Sequence, residues 1–221
     1  MKNNLENSSD AKFTALVVYG LVVLWFLFAL QMGWQGRYAT GFHKPPLAFG
    51  LSAAIPVVFF VSAYARHGRI WAFCQTLDLR ILVAVHLWRI MAIDFLLCGA
   101  EGRLPLGFAL PAGIGDILTG LLAVPLAFGI SSGAVARKRF VAWNLFGLLD
   151  LVLALSLGIS YSASSLGFLA GTGPTSLLMT ELPRSMIPTF GVPMFILLHL
   201  LALARRKELL AVPATEPERF S

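Results

Sequence analysis

Six apolar stretches of roughly 20 residues recur along the chain, and they limit the folds that it can adopt. A helix of that length crosses the hydrocarbon core of a bilayer. The stretches are continuously apolar rather than alternating, which indicates helices rather than the strands of a membrane barrel. The sequence therefore predicts an all-α polytopic transmembrane bundle, forming one membrane domain over 1–221. The predicted spans are 13–32, 47–64, 79–99, 106–130, 140–160 and 187–204.

Composition supports a membrane protein over a soluble one. Of the 221 residues, 57% are hydrophobic and 13% are charged, whereas soluble domains carry about 25% charged residues. The net charge of +6 does not indicate a nucleic-acid partner, because the basic residues cluster in short loops, where they set membrane topology. The expected partner is the lipid bilayer, with no nucleic acid.

The loop charges predict the orientation. Cytoplasmic loops carry an excess of Lys and Arg. The segments on the side of the termini hold ten such residues: Lys2, Lys12, Arg66, Arg69, Arg137, Lys138, Arg139, Arg205, Arg206 and Lys207. The opposite loops hold four: Arg37, Lys44, Arg103 and Arg184. Both termini are therefore predicted to face the cytoplasm, with the protein in the cell membrane.

Three charged residues are predicted to share one depth. At about 1.5 Å per residue, Arg89 lies roughly 13–15 Å from the start of its helix, and Asp150 and Asp116 reach a similar height. Charges in a bilayer face the bundle interior and pair. The arginine could clamp two carboxylates as a structural element. Alternatively, the carboxylate in excess could hold a proton in a substrate or ion pathway.

A second polar layer is predicted nearer the cytoplasm. His86 and His199 should both lie roughly 9 Å inside that face, with Asn144 at a similar level. Paired histidines could ligate a b-type haem or a metal ion, although hydrogen-bonded core histidines are commoner. Asn144 is also a candidate for the substrate or proton pathway.

Asp94 in the third span is a further candidate for the substrate or proton pathway. It lies about 140° around the helix from Arg89, so the two should not pair. Its position near Glu101 and Arg103 predicts an ion pair at the outer mouth.

Small residues mark the fourth span as a site of close helix contact. Gly113, Gly115 and Gly120 should face other helices rather than lipid. A Gly-x-x-Asp pattern ends at Asp116 and recurs at Asp150 in the next, oppositely directed span. This pattern is either a trace of an inverted repeat, as in transporters, or a coincidence of common membrane residues.

Three segments together resemble a set of uncharacterised bacterial multipass proteins: LPLGFALPAGIGDILTG, AWNLFGLLDLVLALSLG and LPRSMIPTFGVPMFILLH. The resemblance covers about 102–199. It implies a six-helix protein of the bacterial inner membrane and supplies no activity.

These observations favour a small permease or proton-coupled transporter of a small solute, with Arg89, Asp116 and Asp150 as its central site. The alternatives are a redox or sensor protein that binds b-haem through His86 and His199, and a non-catalytic membrane subunit. No catalytic residues are predicted, and an enzyme is less expected. The small size of the chain suggests a homodimer or membership of a larger membrane complex.

Overall fold

The computed structural model describes residues 2–40, 44–133 and 135–210, and all regular structure within them is helical. The α-helices are α1 (Lys2–Trp34), α2 (Leu47–Arg66), α3 (Gly68–Thr76), α4 (Leu79–Ala84), α5 (Ile93–Ala100), α6 (Leu106–Ser131), α7 (Arg137–Ser160) and α8 (Val192–Ala204). Shorter 3₁₀ segments cover Val85–Ala92, Ser176–Thr180 and Glu208–Leu210, and a π-helical turn covers Ile187–Gly191. The predicted all-α class is confirmed.

Six of these helical stretches are long and apolar enough to cross a membrane, which is compatible with a multipass membrane protein. They are Asp10–Trp34, Leu47–Arg66, Leu79–Ala100, Leu106–Ser131, Arg137–Ser160 and Ile187–Ala204. Each matches one predicted span, with ends that differ by a few residues. The first helix begins at Lys2, well before the predicted start at residue 13.

The third span is not the continuous α-helix that the sequence predicted. It is α4, then eight residues of 3₁₀ helix, then α5. A 3₁₀ helix rises about 2.0 Å per residue, so this segment is about 4 Å longer than the same residues in an α-helix. The segment contains no proline or glycine that would have signalled the change.

The bundle has a packed centre and a looser flank. In the most apolar stretches of α1 and α2, 11% of the residues are buried, against 44% in the last span. Large apolar side chains are exposed around the outside, among them Leu16, Trp88 and Leu149. Such a surface is unfavourable in water and suits contact with lipid.

The core consists of two apolar clusters stacked along the bundle axis. One contains Leu82, Val83 and Phe140, and the other contains Phe95 and Phe108. Along each central span, the charged residue lies between the residues that enter these two clusters. The charged residues therefore lie between two apolar layers, near the middle of the bundle.

A proline links α1 to the last span. Pro193 has no N–H, so the carbonyl of Thr189 lacks its ordinary α-helical donor. The indole Nε1 of Trp25 donates to that carbonyl at 3.1 Å. Because an unsatisfied carbonyl is costly in an apolar environment, this bond ties the loosely packed α1 to the bundle.

Candidate functional site

Arg89 binds two buried aspartates from two different helices. Its Nε donates to Asp116 Oδ1 of α6 at 2.6 Å, and its Nη2 donates to Asp150 Oδ2 of α7 at 2.5 Å. The Arg89 side chain is fully buried, and those of Asp116 and Asp150 are 8% and 5% exposed. The predicted pairing is therefore present. We call these three residues the ion-pair cluster.

The 3₁₀ segment presents Arg89 to the core. Its buried residues are His86, Arg89 and Ala92, which follow one another every three positions. Side chains three residues apart eclipse one another in a 3₁₀ helix, whereas in an α-helix they diverge by about 60°. The local change of helix type thus places His86 and Arg89 on one ridge facing the bundle interior.

Glycines let the helices approach closely enough to complete the cluster. A Cβ on Gly115 would lie 1.8 Å from Asp150 Oδ1, and a Cβ on Gly147 would lie 2.3 Å from His199 Nε2. Gly113 and Gly120 lie similarly close to residues of the third span. The prediction that Gly113, Gly115 and Gly120 face other helices is confirmed.

His199 extends the cluster into the second polar layer, a link that the sequence did not predict. Its Nε2 lies 3.1 Å from Arg89 Nη1, and its Nδ1 lies 2.9 Å from Asn144 Oδ1. Arginine nitrogens only donate, so Nε2 must accept and the ring proton is on Nδ1. Asn144 is oriented in turn by donating from Nδ2 to the Phe140 carbonyl at 2.9 Å.

His86 lies against His199, in agreement with the common depth predicted for them. The ring centroids are 4.0 Å apart and the ring planes are tilted by 36°. Trp143 and Phe195 also pack against the ring of His86. Neither ring nitrogen of His86 has a hydrogen-bond partner within the described part of the chain.

This packing does not fit the predicted haem. Two axial histidines lie on opposite faces of a flat macrocycle, whereas His86 and His199 contact each other directly. Both nitrogens of His199 are also engaged by Arg89 and Asn144. A metal site has no support either, since the described residues contain no group of three His, Cys, Asp or Glu side chains that could hold an ion.

Asp94 lies apart from the cluster and forms an ion pair, as predicted, with a partner that the sequence did not identify. Arg184 binds it through two hydrogen bonds, from Nε at 2.6 Å and from Nη2 at 2.8 Å. Arg103 pairs instead with Glu101 in an exposed contact. The Asp94–Arg184 pair fastens the long connection between α7 and the last span onto α5.

A cavity of about 60 Å³ leads to the cluster from one end of the bundle. Its rim includes Pro46, Ser162 and Ser176, which lie at or beyond helix ends. Asp116 also lines it and lies about 15 Å along α6 from Leu106. Asp116 is the only ionisable side chain in the described lining, which is otherwise mostly apolar and includes Phe49, Phe95 and Phe108.

The two oxygens of Asp116 have different environments. Oδ1 accepts from Arg89, while Oδ2 accepts no hydrogen bond from a described side chain or backbone group. With both carboxylates ionised, the cluster carries two negative charges and one positive charge. It can therefore take up one further proton or cation without exceeding neutrality.

Besides the 3₁₀ segment and the link from His199 to Arg89, three features in and around the site were not predicted from the sequence. They are Gly147 as a packing partner of His199, Arg184 as the partner of Asp94, and the phenylalanines of the cavity. Gly147 belongs to the repeated Gly-x-x-Asp pattern and could be identified from the sequence. Its contact with His199 of another helix could not.

Comparison with known proteins gives a family and no activity. No curated protein and no solved structure matches the chain. A family model described as a domain of unknown function (DUF8737) matches residues 44–205, which include the whole ion-pair cluster and the cavity. The chain belongs to this DUF8737 family.

Proposed function

We propose that this protein is a small proton-coupled transporter, or permease, of a small solute in the cell membrane, with both termini in the cytoplasm. One observation carries the proposal: Asp116 belongs both to a buried ion-pair cluster and to the lining of a cavity. Ionisable groups inside membrane helices commonly mark ion and substrate pathways.

The excess of one carboxylate over the single guanidinium allows the cluster to bind and release a proton. Two carboxylates face one guanidinium in an apolar surrounding, where an excess charge is costly. A proton on one carboxylate neutralises the cluster, and a bound solute that changes the charge balance favours release of that proton. Solute binding and proton binding are thereby coupled through one set of side chains.

The surroundings of the cluster favour access from one side at a time. The cavity approaches Asp116 from the end of the bundle where Arg103 lies. Towards the other end, Trp143 and His199 pack over the cluster, and both are buried. A central site that is closed on one side and approached from the other suits alternating access.

Proton flux across reconstituted vesicles tests this function. The purified protein is placed in vesicles that contain a pH-sensitive dye, and small cationic, neutral and anionic solutes are added outside. At least one class should change the internal pH in the wild type, because its transport across the membrane is coupled to movement of the exchangeable proton. Asp116→Asn should abolish the change.

Glu101→Gln is the matched control, because Glu101 is an exposed acid paired only with Arg103 in the described structure. It should behave as the wild type. Equal proton flux in the wild type and in Asp116→Asn, for every solute class, would show that the cluster does not couple solute movement to protons. The cluster would then be a packing element.

A further inference from the structure

We propose that the cavity binds a small organic cation, of the alkylammonium class, with its charged nitrogen on Asp116 Oδ2 and its apolar body among the phenylalanines. This inference deepens the proposed function by naming the substrate class of the same site. The inference that the cation is transported rests on the proposed function. The inference that it binds does not, since binding can be measured separately.

The charge of the site selects the sign of the ligand. Asp116 is the only ionisable residue in the described lining, and Oδ2 is left without a donor there. Arg89 is fully buried behind Asp116, and its guanidinium is directed to Asp116, Asp150 and His199. A cation therefore meets an acceptor oxygen in an environment of excess negative charge, whereas an anion would meet a carboxylate.

The walls of the cavity select the body of the ligand. The aromatic lining residues are Phe49, Phe95 and Phe108, and the last two rings lie 5.7 Å apart. Aromatic faces attract ammonium groups and bury apolar surface. A hydrated metal ion would instead need several oxygen ligands, and the described lining offers one carboxylate and two serines, Ser162 and Ser176.

The volume sets the size of the ligand. A cavity needs roughly 10–15 Å³ to hold one water molecule, so about 60 Å³ accommodates roughly four to six small groups. An alkylammonium of about five non-hydrogen atoms, such as tert-butylammonium, fits this limit. The uncharged tert-butanol has the same shape and serves as its isostere.

The carboxylate of Asp116 cannot bind a proton and an organic cation at full strength at the same time. Protonation of Asp116 removes the charge that attracts the ammonium group. The proton and the organic cation therefore compete for one site, and the exchange that follows is an antiport: one cation enters the cavity as one proton leaves Asp116.

Equilibrium dialysis of radiolabelled tert-butylammonium against the purified protein in detergent micelles tests the inference, with protein-free micelles as background. The ammonium should bind more tightly than tert-butanol. Its affinity should fall as the pH is lowered from about 8 to about 5, a range in which an alkylammonium stays charged. Binding of tert-butanol should not change with pH.

Two variants locate the site. Asp116→Asn should weaken ammonium binding roughly 10- to 100-fold, the loss expected for one charge-assisted hydrogen bond, and leave tert-butanol binding unchanged. Ala154→Leu, which narrows the cavity and leaves its charge unchanged, should weaken both ligands. Glu101→Gln should alter neither.

Equal binding of the two isosteres, pH-independent ammonium binding, or unchanged binding in both variants would overturn the inference. The proposed function can fail separately. Ammonium binding without any solute-dependent proton flux would remove transport and leave the cation site. Proton flux that depends on Asp116 but is driven only by neutral or anionic solutes would support transport and rule out the organic cation as the substrate.

Discussion

Arg89→Ala should destabilise the folded protein strongly. The change leaves Asp116 and Asp150 buried and facing each other without a counter-charge. Removing one partner of a buried ion pair typically costs about 3–5 kcal/mol. Thermal unfolding in detergent should therefore show a markedly lower transition for this variant than for the wild type.

A double-mutant cycle assigns that loss to the contacts described. Arg89→Ala combined with Asp116→Ala or Asp150→Ala should recover part of it, with a coupling of about 0.5–3 kcal/mol for each pair. Arg103→Ala is the matched control, since its pair with Glu101 is exposed on both sides and exposed pairs contribute at most about 1 kcal/mol. Coupling near zero with both aspartates would mean that the three charges do not meet.

Gly115→Ala should be nearly as damaging, although it adds only one carbon. The new Cβ would lie 1.8 Å from Asp150 Oδ1, so either α6 and α7 separate or Asp150 leaves Arg89. Overpacking of a core costs about 1–3 kcal/mol, and a broken buried pair adds to this. Thermal unfolding of the variant in detergent measures the sum.

Gly50→Ala and Gly20→Ala are suitable controls, because within the described part of the chain, apart from the local helix backbone, no atom lies within 4 Å of a Cβ at either position. Alanine favours a helix over glycine by up to about 1 kcal/mol, so these variants should be as stable as the wild type or slightly more so. If Gly115→Ala is as well tolerated as they are, the helices do not approach as described.

Much of the cluster could be predicted from the sequence because depth in a membrane helix follows from counting residues. Arg89, Asp116 and Asp150 were placed at one level by helical rise alone, and the cost of an unpaired charge implied that they would meet. The same count placed His86 and His199 at one level, where their rings are in contact.

The features that the sequence did not predict lie where counting residues along a helix carries no information. Asp94 pairs with Arg184, which lies 90 residues further along, in a connection whose path has no periodic pattern. The 3₁₀ segment has no sequence signal, yet it aligns His86 with Arg89 and brings the two predicted polar layers together through His199. The cavity is formed by residues from several separate segments. Its shape depends on how those segments pack, and residue spacing within one helix does not determine that.

The repeated Gly-x-x-Asp pattern has a structural counterpart. Asp116 and Asp150 reach one guanidinium from two oppositely directed helices, and Gly147 lies against His199 on the same side. In α7 the glycine and the aspartate act together, because Gly147 leaves space for His199 and Asp150 binds Arg89.

Infrared difference spectroscopy of the purified protein shows whether the ion-pair cluster takes up and releases a proton. Acidification should produce the C=O stretching band of a buried carboxylic acid, and deuteration should shift that band. Asp116→Asn should remove or displace it, while Glu101→Gln should retain it. If no such band appears between about pH 8 and pH 4, a range that starts well above the ordinary carboxyl pKa of about 4, the protonation of the two aspartates does not change over that range. The cluster would then fix helix packing and carry no protons.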